Sequence, residues 1–174
     1  MEKYKNKYRV QSTRLPYWNY GWNAAYFVTI CTAGRICHFG SIENQIMSLS
    51  ELGRCAERCW LDIPNHFPFV VLHEFVVMPN HVHGILAIDK PVETQNLASL
   101  QERQNRFGPQ SQNLASIIRG YKIGVSKCAK NQGINFAWQA RFHDHVIRSE
   151  ENYLKIAEYI QTNPQRWLED TYYV

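Results

Sequence analysis

The chain has 174 residues, of which 45% are apolar and 13% aromatic, and it carries a formal charge of +4 at neutral pH. That is enough apolar material to bury the core of a single folded domain, and it excludes a disordered or fibrous chain. No run reaches the ~18 uninterrupted apolar residues that a membrane helix needs. Met1-Glu2-Lys3-Tyr4-Lys5 lacks the apolar stretch of a secretion signal, so a cytoplasmic protein with no membrane partner is expected.

The charge is unevenly placed. Residues 1–14 carry a net +4 and residues 114–148 a net +5, while the remainder is at −5. Two basic segments in an otherwise acidic chain suggest a polyanion met by part of the surface, although lysines solvating a helix face would look the same. The five cysteines are an odd number without paired zinc-type spacing. Cys55 and Cys59, four apart, are expected to stack on one helix face as small apolar residues.

One domain over residues 1–174 is expected, with a basic, aromatic N-terminal arm at 1–22. Ala25 to Thr32 is β-branched and aromatic and reads as a central strand. Residues 36–49 read as a short hairpin turning between Gly40 and Gln45. Ser50 caps a helix to about Ile63, with Leu52, Ala56, Cys59 and Trp60 at helical spacing, and Pro64 is expected to stop it. Phe69 to Met78 is a second long strand. Pro79-Asn80 tightens the chain before the strand His81 to Ile88.

Residues 89–112 are polar and aperiodic, a loop in which Gln95-Asn96-Leu97-Ala98-Ser99 is echoed by Gln112-Asn113-Leu114-Ala115-Ser116. Five residues are too few for a structural repeat. A helix capped near Asn113 turns Ile117, Ile118, Tyr121, Val125 and Cys128 inward, and Arg119, Lys122, Lys127 and Lys130 outward; Gly133 ends it. His143 to Arg148 alternates like an edge strand. A last helix runs from Ser149 to about Asn163, with Pro164 beyond its end. This order predicts an α+β fold, a ferredoxin-like/RRM-like sandwich whose antiparallel sheet has helices packed mainly on one face.

Within Val77-Met78-Pro79-Asn80-His81-Val82-His83 the two histidines sit two residues apart in a strand, so both imidazoles leave the same face. A metal, a phosphate or a satisfied pair of core polar groups would each account for them. On the last helix Ile156, Tyr159, Ile160 and Asn163 share one face. If that face covers the sheet, Tyr159 and Asn163 converge on the imidazoles; the plainer reading makes Tyr159 a core aromatic with its hydroxyl at the rim.

Val77-Met78-Pro79-Asn80-His81-Val82-His83, followed by Trp138-Gln139, His143 and Glu158-Tyr159-Ile160-Gln161-Thr162-Asn163-Pro164, resembles the single-tyrosine transposases of the histidine-hydrophobic-histidine (HUH) class. More narrowly it is similar to the REP-associated branch, from about Tyr26 to Trp167. The resemblance implies that His81 and His83 bind a divalent metal, Mg²⁺ or Mn²⁺. Asn163 is the implied third ligand, where insertion-sequence enzymes usually carry glutamine. Tyr159 is the implied nucleophile, and no carboxylate ligand is evident. The implied activity is cleavage and rejoining of single-stranded DNA through a 5′-phosphotyrosine link, beside DNA hairpins formed by palindromic repeats. A domesticated hairpin-binding protein that does not cut is the alternative. Arg119, Lys122, Lys127, Arg141 and Arg148 are candidate phosphate contacts. His143 and His145 form a second alternating pair, read as structural or DNA-facing. Insertion-sequence relatives are homodimers, whereas some REP-associated members are monomers, so both states are open.

Overall fold

The computed structural model describes Leu15, residues 17–91 and residues 111–174. The basic half of the expected arm, most of the polar loop and the first copy of the five-residue echo lie outside the described residues. Strand β1 (Ala24–Cys31) is followed by a hairpin of β2 (Gly40–Glu43) and β3 (Ile46–Leu49). Helices α1 (Glu51–Leu61) and α2 (Ile63–His66) lead into β4 (Val70–Met78) and β5 (His81–Ile88). Helix α3 (Leu114–Asn131), strand β6 (His143–Ile147) and helix α4 (Glu150–Thr162) complete the domain, and α4 tightens into a 3₁₀ segment, Asn163–Glu169.

The main sheet has the order β4-β5-β1-β6, antiparallel throughout. Two strand–helix–strand crossovers joined by the β4–β5 hairpin give the ferredoxin-like α+β sandwich that the element order predicts. On one face Tyr26, Val28 and Ile30 of β1 and Val82 and Leu86 of β5 pack beneath α1 and α3, in a core with Leu52, Ala56, Trp60, Ile117, Ile118, Tyr121 and Val125. Gly84 makes this packing possible: a Cβ there would lie 2.3 Å from the ring of Trp60, which stacks on Phe75 instead. Helix α4 takes the opposite face, setting Ala157 and Ile160 on Ile85 with Phe27, Val76 and Ile147 around them. Two long helices thus share one face, and the third lies alone over the face that carries the imidazoles.

Several local expectations are corrected. The β2–β3 turn is only Asn44-Gln45, both with positive φ (49° and 66°), because such a turn matches the right-handed twist of a two-residue hairpin. Pro64 does not stop a helix; it occupies the first turn of α2, where its missing N–H costs nothing. Cys55 is not a free apolar thiol but forms a disulfide with Cys128 of α3, with Cys59 Sγ 3.9 Å from Cys55 Sγ. The capped starts hold: the side chains of Ser50, Asn113 and Ser149 each accept from a backbone N–H in the first turn of their helix. Among the described residues no helix is long and apolar enough to cross a membrane.

Candidate active site

Register places the histidine pair at the centre of the sheet. His81 lies between Met78 and Cys31, and His83 between Val76 and Thr29. Both side chains are buried, at 0% and 1% exposure, with ring centroids 4.4 Å apart. The Asn80 amide nitrogen donates to the carbonyls of Arg35 (3.1 Å) and Tyr172 (2.8 Å), which orients its oxygen toward His81 Nδ1 at 2.8 Å. His81 therefore carries its proton on Nδ1 and presents a bare Nε2, which has no partner among the described residues. His83 Nδ1 lies 2.8 Å from Thr29 Oγ1. Burial, with Arg35 adding to it, pushes His81 down to about 3. Burial and then His81 hold His83 well below the usual imidazole range, so both rings are neutral at pH 7.

Tyr159 brings its hydroxyl to 3.2 Å from His83 Nε2. Burial, followed by the nearby Asp170 carboxylate, pushes it up to about 12, and Asn163 acts in the opposite sense. Asn163, at the helix end, is buried. Its Nδ2 donates to Asp170 Oδ2 at 2.9 Å, and its Oδ1 has no partner among the described residues. The structure thus sets Tyr159 against the histidine pair and ties Asn163 to the same centre through Asp170. It adds a carboxylate that the sequence reading missed: His81, His83 and Asp170 each offer a ligand atom, all within 4.8 Å of one another.

Segment 170–173 covers the pair. The Tyr172 ring lies 4.6 Å from that of His81 and 5.8 Å from that of His83. Asp170 Oδ1 accepts from the Tyr172 backbone N–H at 2.7 Å, and Arg35 donates to the Thr171 carbonyl at 2.8 Å.

The basic candidates lie apart from this centre. Arg119, Lys122 and Lys127 line, with Lys130 and Phe142, a cleft of about 530 Å³ along the outer side of α3. Arg141 sits in the chain between Phe142 and a further lining residue, Ala140. Lys122 is engaged inside, its ammonium donating to the carbonyls of Gln139 and Arg141. Arg148 lies over the ring of Trp18. His143 and His145 are exposed on the edge strand β6, opposite Thr29 and Phe27.

No protein-family model matches the chain. It is 45% identical over 168 residues to an uncharacterized protein of Haemophilus influenzae (strain Rd), with 94% of this chain and 93% of that protein covered. The chain belongs to that protein's family. Among solved structures, it resembles a REP-associated tyrosine transposase bound to a REP hairpin. The TM-score is 0.59 at 19% identity, over 90% of this chain and 74% of that one. That likeness establishes a shared fold. A putative transposase from Deinococcus radiodurans R1 matches at a TM-score of 0.46 and 15% identity, over 87% of this chain and 96% of that one.

Proposed function

We propose that the protein is a metal-dependent tyrosine transposase that cleaves and rejoins single-stranded DNA next to hairpin-forming palindromic repeats. One observation carries the reading: a tyrosine hydroxyl stands 3.2 Å from a buried imidazole, beside a second imidazole with a bare ring nitrogen. A core packed for stability alone would pair such groups or replace them, because an unsatisfied buried acceptor costs about 1–3 kcal/mol. The shared fold with a transposase bound to a REP hairpin supports the substrate class.

The donor set fits a divalent ion. His81 Nε2 and Asn163 Oδ1 are buried acceptors without partners among the described residues, and Asp170 brings a carboxylate within 4.8 Å of both imidazoles. These three residues with His83 would hold Mg²⁺ or Mn²⁺, a mixture of imidazole and oxygen donors. When bound, the ion supplies Lewis-acid polarisation of the scissile phosphate.

The residues do the rest. Asn80 fixes the His81 tautomer, and Asp170 orients the Asn163 amide. Tyr159 attacks phosphorus, giving a 5′-phosphotyrosine and a free 3′-hydroxyl, so that phosphodiester energy is retained for rejoining. Helix α4 sets Tyr159 edge-on against its own chain's His83, an arrangement that supports action in cis and does not require a homodimer. Arg119, Lys127, Arg141 and Arg148 contact hairpin phosphates, and Lys122 holds the 139–141 segment beside them.

A second reading, a hairpin-binding protein that does not cut, is favoured by the lid of Tyr172 over both imidazoles, since a phosphate reaches them only after that lid withdraws. One assay separates the two. Hairpin-bearing single-stranded DNA with Mn²⁺ gives an SDS-resistant protein–DNA adduct with wild type and none with Tyr159→Phe. No wild-type adduct, or an adduct with Tyr159→Phe, overturns the strand-transfer reading.

A further inference from the structure

The departing oxygen in this reaction needs a proton, and none of the groups described above supplies it. The rings of His81 and His83 are neutral and turned to the proposed ion site, and Tyr159 is the attacking group. The edge strand offers another imidazole. His143 is paired with Thr29, which is paired with His83, so His83, Thr29 and His143 form one row across β5, β1 and β6 on the α4 face.

Three chemistry-bearing rings surround Phe27 of β1. His83 stacks on it at 5.4 Å, Tyr159 meets its edge at 6.3 Å, and His143 meets it at 6.4 Å. Helix α4 reaches β6 through its first turn. Asn152 and Tyr159, seven residues apart, share one side of the helix, and Asn152 Nδ2 lies 2.9 Å from His145 Nε2 on that strand. The part of the α4 face around Phe27 thus carries both the nucleophile and His143. It is also the open side of the site: His143 is exposed and Tyr159 is 37% exposed, whereas His81 and His83 are sealed.

Resting on the strand-transfer reading, we infer that His143 is the general acid that protonates the leaving 3′ oxygen of the DNA strand. In cleavage the Tyr159 oxygen bonds to phosphorus and its proton passes to solvent. The P–O3′ bond breaks, its electron pair stays on O3′, and that oxygen takes the ring proton of the His143 imidazolium, leaving neutral imidazole. In rejoining the same ring, now neutral, takes the proton from the attacking 3′-hydroxyl, the bond from phosphorus to the Tyr159 oxygen breaks, and that oxygen regains its proton from solvent. A histidine outside the metal shell suits this duty because one imidazole can both give and take a proton.

The test uses two hairpin-bearing oligonucleotides that differ in one atom at the scissile position, a bridging 3′ oxygen or a bridging 3′ sulfur. A thiolate leaves without protonation, since a thiol ionises near pH 8.5 and an alcohol far above it. Single-turnover adduct formation with Mn²⁺ is the readout. His143→Ala slows the oxygen substrate on the order of 10²–10⁴-fold and leaves the sulfur substrate near the wild-type rate. His143→Gln, which can hydrogen-bond but cannot donate a strong proton, behaves as the alanine variant does. An equal loss on both substrates, no loss on the oxygen substrate, or rescue by glutamine overturns the assignment. If wild type forms no adduct with either substrate while still binding the hairpin, the strand-transfer reading itself falls, and the proposal with it.

Discussion

Two histidine pairs of identical spacing, His81-Val82-His83 and His143-Asp144-His145, project from one face of the same sheet. Their surroundings make them different chemical objects. The first is on the interior strand β5, with neighbours on both sides and helix α4 above, so both rings are dry. The second is on the edge strand β6 and is exposed. Desolvation keeps the interior rings neutral and therefore fit to donate lone pairs, and the edge rings face solvent, with His145 Nε2 held by Asn152. Position in the sheet, not the local motif, sorts the candidate ligands from the rest.

The largest expected effect separates the pairs by chemistry. Replacing His81 with alanine, or removing divalent ions with EDTA, should lower adduct formation by about 10³-fold, the several kcal/mol that a bound ion contributes to a phosphoryl transition state. Hairpin binding measured by fluorescence anisotropy should persist in both cases, since the basic residues lie elsewhere. If His81→Ala and EDTA leave the rate intact, the interior pair is a packed polar couple and not a metal site.

A smaller effect is expected from Asn80. Its amide touches no proposed substrate atom, yet it fixes the proton of His81 and is tied to Arg35 and Tyr172. Asn80→Ala should weaken Mn²⁺ binding by about 10–100-fold, as other losses of a ligand's supporting hydrogen bond do. Titration calorimetry with Mn²⁺ alone measures it. Asn80→Asp keeps an acceptor for Nδ1 and should recover part of the affinity. An unchanged Mn²⁺ affinity in Asn80→Ala would show that the tautomer is set by something other than this contact.

How much of this was readable in the chain follows from periodicity. His81 and His83 are legible because a strand repeats every two residues, and Tyr159 and Asn163 because a helix brings i and i+4 together. The fold was legible through the β-branched and aromatic make-up of β1, the alternation of β6 and the capped amphipathic helices. Asp170 and Tyr172 were not. They follow Pro164 and a 3₁₀ segment with a kink at Arg166, where no regular period carries direction from one residue to the next. Asn80 looked like turn chemistry after Pro79, and its hydrogen bond to His81 depends on carbonyls 45 and 92 residues away in sequence. Lys122 falls on the charged side of α3 by count, but its stem lets the ammonium fold back onto the carbonyls of Gln139 and Arg141. The Cys55–Cys128 bridge spans 73 residues and follows from the packing of α1 on α3, which no local pattern encodes.

The smallest expected effect is on stability, and it is carried by the interior pair alone. His81 is held down to about 3 in the folded protein, and its unfolded value is near 6.5. Between those values the unfolded chain binds a proton that the folded chain refuses, so stability is full above about pH 6.5 and is lost as pH falls from there toward 3. His83, lowered for the same reason of burial, adds to the loss in the same direction. A melting series from pH 7.5 to 4.5 should therefore show a falling melting temperature for wild type. The decline should be shallower in a His81→Gln/His83→Gln variant, which has no buried imidazole left to protonate there. His143→Gln/His145→Gln should keep the wild-type slope, because it leaves both buried imidazoles in place. A double edge variant that flattened the acid slope, or a double interior variant that left it unchanged, would reverse the assignment of buried and exposed roles to these two pairs.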